Sequence, residues 1–247
     1  MSFPSSPSVA LFGLGAFGQL LARLLAPEVP LCVHDPAPGA GARAQALGLP
    51  LVSEAEACRA DILILAVPLG ALEPLLTRLA PRLRPGQLVI DVASVKEEPA
   101  RLMQALLPKG VEVLATHPMF GPLSAGQGVR GAQVVLCPLR GNRWRRVAAF
   151  LRGRHGLRLI VTTPAEHDAQ AALSQGMTHL IGQALRSLGP APRIRTRSFD
   201  LMMEALAMVA SDAPEVYEAV TRGNAHVGPL RDRLVAALSE AGGVTPR

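Results

Sequence analysis

One short segment constrains this chain more than any other: Gly13-Leu14-Gly15-Ala16-Phe17-Gly18. It follows Ser8-Val9-Ala10-Leu11-Phe12, which reads as a buried strand, and precedes the helical run Gln19 to Leu25. Strand, G-x-G-x-x-G and helix in that order form the phosphate-cradling turn of a dinucleotide-binding unit. Gly13 permits the tight turn, Gly15 lets backbone approach a pyrophosphate, and Gly18 lets the helix pack on the strand. Leu14, Ala16 and Phe17 complete a loop whose free N–H groups and helix dipole favour an anion.

The second strand, Leu31-Cys32-Val33-His34, ends in Asp35. A carboxylate about 20 residues after the loop accepts hydrogen bonds from the adenosine ribose and repels a 2′-phosphate. NAD is therefore the expected cofactor, with NADP as the alternative because His34 and Arg43 lie near Asp35. A turn cap ahead of Pro36 is the plainer reading of Asp35.

Beyond Asp35, strand-like and helix-like runs alternate, as in a parallel sheet wrapped by helices. Strands are expected at Leu51-Val52, from Asp61 to Val67, from Leu88 to Val92, from Val111 to Thr116, from Gln133 to Leu136 and from Leu157 to Val161. Helices are expected near 43–47, 72–83, 98–107 and 143–151, and Glu54 and Glu56 read as a polar turn. Val67 and Pro68 close a buried strand and should stand over the cofactor. From Pro164 onward only helical periodicity remains, over 166–188, 199–210, 215–222 and 227–238. The expected architecture is α/β: a Rossmann-like, mostly parallel sheet over residues 1–164, then a smaller all-α domain over 165–247. That tail, rich in Leu and in Met202, Met203 and Met208, is too short to bury its apolar faces alone, so a homodimer through the helical domain is expected.

Composition narrows the function classes. A chain of 247 residues that is 49% hydrophobic can bury a large core. Its formal charge of +6 raises nucleic acid as a partner, but the basic residues are scattered. The densest run, Arg140 to Arg158, interleaves only Trp144 and Phe150, so no nucleic acid is expected. Cys32, Cys58 and Cys137 show no C-x-x-C spacing, and neither a metal site nor a disulfide framework is expected. No apolar run reaches spanning length and Met1-Ser2-Phe3-Pro4 lacks the charged start of a secretion signal, so the expected location is the cytoplasm, without membrane contact.

Chemistry-bearing residues fall just beyond strand ends, where ligands bind in open α/β sheets. Ser94 and Lys96 follow the fourth long strand in Asp91-Val92-Ala93-Ser94-Val95-Lys96, and His117 opens His117-Pro118-Met119-Phe120-Gly121-Pro122 after the next. A glycine loop followed by such a histidine suggests a dehydrogenase. Ser94 also fits a helix N-cap with Glu97 at N3, and His117 a turn residue ahead of Pro118. Of 25 basic residues only Lys96 and Lys109 are lysines, a hint that position 96 wants a compact ammonium.

These motifs, with Glu166-His167-Asp168, resemble the prephenate/arogenate (cyclohexadienyl) dehydrogenases of tyrosine biosynthesis, over residues 8 to 240. The resemblance implies an NAD(P)-dependent oxidative decarboxylation of prephenate to 4-hydroxyphenylpyruvate. Hydride leaves C4 for the nicotinamide, carbon dioxide departs and the ring becomes aromatic. It implies that His117 hydrogen-bonds the C4 hydroxyl and that Ser94 helps hold that hydroxyl and the imidazole. It further implies that Ser174 and His179, with Thr178 on the same stripe, face the substrate's side chain. An arginine must clamp the carboxylates, and Arg197 is taken over Arg195 and Arg222.

Arogenate carries an ammonium where prephenate carries a keto group. The stretch from His117 to Arg130 holds no Asp or Glu and offers Gln127 where an acid would serve an ammonium, which favours prephenate. Arogenate, or both, is the alternative. Solvent exposure is the plainer reading of the polar stripe. A β-hydroxyacid dehydrogenase or imine reductase would need a catalytic lysine or aspartate in the second domain, and no lysine follows Lys109. A non-catalytic NAD-binding regulator would keep Gly13, Gly15, Gly18 and Asp35 with no need for His117 beside Ser94.

Overall fold

The computed structural model describes residues 7–210 and 212–243, the side chains of Gln127 and Ala210 excepted. The chain divides into two compact units, Met1–Pro164 and Ala165–Arg247.

Seven strands form one Rossmann-like sheet in the first unit: β1 (Val9–Phe12), β2 (Leu31–His34), β3 (Ile62–Leu65), β4 (Leu88–Asp91), β5 (Glu112–Pro118), β6 (Gln133–Arg140) and β7 (Arg158–Val161). Their order is β2-β1-β3-β4-β5-β6-β7. Every residue of β1 and β4 is buried, as continuous apolar runs are in strands covered on both faces. Helices α1 (Ala16–Leu25), α2 (Ala40–Ala46), α3 (Glu54–Ala57), α4 (Leu69–Leu79), α5 (Glu97–Leu106) and α6 (Trp144–His155) connect them. Leu76 and Leu79 of α4 and Met103 of α5 pack with Leu63, Leu65 and Val89 on one face. Ala22 of α1, Ala44 of α2 and Ala148 of α6 pack with Leu11, Ile90 and Leu136 on the other.

The elements expected in the first unit need three corrections, and the sheet, mostly parallel as expected, contains one antiparallel pair. Helix α1 begins at Ala16, inside the glycine loop rather than after it. Leu51 forms a single bridge to Val33 instead of a strand. The polar turn at Glu54 and Glu56 is helix α3, whose N-cap Ser53 forms a capping box with Glu56. Strand β6 pairs antiparallel with β5, while the remaining neighbours are parallel. Only a 3₁₀ turn, Ser124–Gln127, lies between Pro118 and Gln133, and without a crossover helix the chain returns antiparallel.

The second unit is helical: α7 (Pro164–Ala171), α8 (Met177–Ser187), α9 (Arg197–Ala210), α10 (Pro214–Thr221) and α11 (Val227–Ala241). The sequence reads 166–188 as one helix, but a π turn over Ala172–Gly176 separates α7 from α8. Gly176 is needed there, because a Cβ would stand 2.7 Å from Val227 Cγ2 at the start of α11. No described helix is long and apolar enough to cross a membrane. No cluster of three or more metal-ligating side chains occurs among the described residues.

Candidate active site

The parallel register aligns the strand ends of the first unit. Phe12 pairs with both His34 and Leu65, Leu65 with Asp91, and Asp91 with Ala115. The loops beginning at Gly13, Asp35, Ala66 and Val92, and the last residues of β5, therefore leave the sheet along one edge. The order β2-β1-β3 reverses direction between β1 and β3, which opens a crevice there.

That crevice is a cavity of about 410 Å³ lined by Gly13, Gly15, Asp35, Val67 and Pro68, among others. Gly13 has φ +95°, and a Cβ on it would collide with the Ala66 carbonyl oxygen. A Cβ on Gly18 would likewise strike the Gly13 carbonyl, whereas one on Gly15 meets nothing within 4 Å. Two glycines thus serve the protein's own packing, and the third leaves open space beside the N-terminus of α1. That terminus has no side-chain cap and no acidic residue in its first turn, so its N–H groups and dipole remain suited to an anion. Leu14 is buried, Ala16 exposed and Phe17 half-buried. The Phe17 ring lies 6.4 Å from Phe120, so the glycine-loop helix meets the segment that follows His117.

Asp35 is not merely a turn cap. Oδ1 does accept from the Ala37 N–H at 2.8 Å, but Oδ2 accepts from the Leu14 N–H at 2.7 Å, and Arg43 Nη2 stands 3.7 Å away. The charged and polar groups here fit the adenosine end of a dinucleotide.

His117 lies within β5, paired with Val135, and not in a loop beyond the strand. It is 3% exposed, and period-two alternation puts it on the face of Val113 and Ala115. Ser94 is half-buried three residues past Asp91, whose partner Ala115 precedes His117 by two. The register therefore delivers Ser94 and His117 to the same stretch of the sheet edge. Lys96, not Ser94, occupies the N-cap position of α5, and no side chain caps that helix, so the capping-box reading of Ser94 fails.

Between the segments that carry these two residues is a buried ionic cluster; the rarity of lysine marks Lys96 in the sequence, but not the partners it finds. Lys96 Nζ donates to Asp91 Oδ2 and, at 2.6 Å, to the Thr116 carbonyl. Thr116 Oγ1 donates to the Asp91 carbonyl at 2.6 Å. Burial drives the Asp91 carboxyl upward, while Lys96 and the N–H groups of Ala93 and Thr116 pull it toward the ionised form. The available signal was an acid closing an apolar strand five residues before a rare lysine.

In the second unit, Ser174 sits in the π turn, a feature frequent at functional sites, with its hydroxyl donating to the Gln170 carbonyl. Thr178 Oγ1 donates to the Ser174 carbonyl. His179 is 2% exposed, its Nε2 is 3.4 Å from Asp212 Oδ2, and its ring meets Tyr217 edge-on at 6.0 Å. Burial, with Arg186 adding, pushes the His179 imidazole below its ordinary value, and burial raises Asp212. Asp212 has no sequence-level signal beyond its charge. His167 Nδ1 is 2.7 Å from Asp168 Oδ1, and Asn224 donates to the Asp168 carbonyl.

Arg197 is not brought to this cluster. It is exposed at the first turn of α9 and pairs with Glu204, while Leu206 and Val209, about two and a half turns or more along, are the α9 residues near Gly182 of α8. Arg195 and Arg222 are likewise exposed and paired, with Asp200 and Glu218. The side chain of Gln127 lies outside the described residues.

Strand order, glycine loop and strand-end carboxylate define the class: a dinucleotide-binding domain of the oxidoreductase type. The family model described as prephenate dehydrogenase, nucleotide-binding domain, matches residues 22–175. The chain belongs to the prephenate dehydrogenase family. It is 28% identical over 194 residues to a probable arogenate/prephenate dehydrogenase of Methanocaldococcus jannaschii, covering 74% of this chain and 43% of that protein. It is 30% identical over 220 residues to the chloroplastic arogenate dehydrogenase 1 of Arabidopsis thaliana, covering 85% and 34%. The chain thus spans less than half the length of these two relatives. Its fold matches a crystal structure of prephenate dehydrogenase from Aquifex aeolicus in complex with hydroxyphenyl propionate and NAD+, with a TM-score of 0.78, 18% identity, and coverage of 97% and 90%.

Proposed function

We propose that the protein catalyses the NAD-dependent oxidative decarboxylation of prephenate to 4-hydroxyphenylpyruvate. The observation that carries this reading is the shared sheet edge: the register sets Ser94 and His117 in line with the Gly13 loop and Asp35. The M. jannaschii relative's description and the NAD+ complex of the A. aeolicus enzyme support it.

The open space at Gly15, the uncapped start of α1 and the Asp35 carboxylate fit a dinucleotide. When bound, the nicotinamide supplies the hydride acceptor. The chain's own residues have three tasks. The glycine loop and Val67 orient the cofactor, and Asp35 selects its ribose. His117 draws off the C4 hydroxyl proton, with Ser94 holding that hydroxyl and the ring. Ser174, Thr178 and His179 bind the substrate's side chain. Aromatisation supplies much of the driving force, so positioning is most of the catalytic work.

Arogenate is the second reading. A carboxylate at Asp212, beside a His179 held toward its neutral form, is suited to an ammonium. We infer a cytoplasmic homodimer formed through the helical unit, supported by the exposed Leu201, Met202, Met208, Val235 and Leu238. Crossing prephenate and arogenate with NAD and NADP, with product identification by mass, tests the substrate and cofactor. No turnover in any combination would refute the reading and favour the regulator.

A further inference from the structure

We propose that Asp91 and Lys96 form a positioning pair that sets the reach of Ser94 and His117. This rests on the reading that those two residues handle the substrate hydroxyl. Lys96 and Asp91 are 0% and 1% exposed in their side chains. Asp91 ends β4, and Lys96 stands at the start of α5. Their contact closes the stretch of four residues, 92–95, that carries Ser94, and the Ala93 N–H, donating to Asp91 Oδ2 at 2.9 Å, ties that stretch to the pair.

The same ammonium holds the carbonyl of Thr116, the peptide group that leads into His117. The Thr116 hydroxyl and N–H return bonds to Asp91, at 2.6 Å to its carbonyl and 3.3 Å to Oδ1. One ion pair is therefore shared by the two segments that present the two polar residues. An arginine would bring a longer, planar fork in place of the compact ammonium that the Asp91 carboxylate and the Thr116 carbonyl share, which suits a lysine to this fully buried position in a chain with only one other, Lys109. A buried pair is weak as a source of stability compared with apolar residues of the same volume, whereas removing one member strands a charge. Geometry is the better account of why it is kept.

The test compares the wild type with the double variant Asp91→Asn/Lys96→Met, which removes both charges together. Asp91→Asn/Lys96→Gln, which keeps a donor for the Thr116 carbonyl, serves if the first does not fold. Turnover, NADH affinity by fluorescence, thermal midpoint and the His117 C2–H proton signal are measured in each. A misplacement near 1 Å lowers kcat by roughly 10². We expect that loss with NADH affinity within about threefold, a fold retained at the assay temperature, and a displaced His117 signal, the Gln variant falling between. Wild-type kcat in a folded double variant, or an unmoved His117 signal, overturns the proposal. If the wild type turns over neither substrate, the functional reading fails, and the His117 signal alone decides the pair.

Discussion

The Asp35 carboxylate is tied to the glycine loop through the Leu14 N–H, at 2.7 Å, so the end of β2 and the turn after β1 form one hydrogen-bonded unit. The same carboxylate faces Arg43, whose Nε is buried without a hydrogen-bond partner among the described residues. Replacing Asp35 with Asn should weaken NAD by roughly tenfold and shrink the preference for NAD over NADP by a similar factor, since repulsion of a 2′-phosphate is lost and Arg43 is released. Titration of both dinucleotides checks this. An unchanged ratio would remove Asp35 from cofactor selection.

The three loop glycines should separate in their effects. Gly13→Ala forces a left-handed conformation and a collision with the Ala66 backbone, and should lower the thermal midpoint severely. Gly15→Ala meets nothing within 4 Å, so stability should stay within about 0.5 kcal/mol of wild type while NAD affinity falls. Calorimetry and dinucleotide titration on the two variants tell the roles apart. A Gly15→Ala protein that binds NAD normally would place the pyrophosphate elsewhere.

Acid sensitivity should trace partly to Asp61. Its Oδ2 accepts from the Ser8 N–H at 2.9 Å and from the Ser8 hydroxyl at 2.8 Å. These bonds, with Arg143 and Arg84, hold the carboxyl below its ordinary range. A depressed carboxyl stabilises the fold above the unfolded value, near 4, and that contribution is lost as pH falls through the folded value. Asp61→Asn should therefore melt below wild type at neutral pH, and the gap should close toward pH 3. A gap independent of pH would contradict the assignment.

Much of the first unit was legible because strands buried on both faces leave uninterrupted apolar runs, as in Ile62–Leu65, and because the glycine spacing has a local cause at Gly13 and Gly18. Strand direction was not, since apolar content carries no polarity; the missing helix between Pro118 and Gln133 was the available clue for β6. The Ser53 and Glu56 capping box was readable as a helix start but hides in a stretch too short to show periodicity. The π turn at Ala172–Gly176 keeps helical spacing and leaves no compositional mark. In the candidate site, Ser94 could be placed by counting from a strand end, whereas His117 belongs to β5 itself, whose last residues carry too little apolar character to be read as strand. Lys96 with Thr116 and His179 with Asp212 are tertiary pairs that spacing does not encode.

The most direct test of the central claim is absorbance at 340 nm with the wild type and a His117→Asn variant, each given prephenate or arogenate with saturating NAD. The account predicts turnover by the wild type and a loss of roughly 10² or more in kcat for the variant, with NAD affinity unchanged. Wild-type rates in the His117→Asn protein would contradict it.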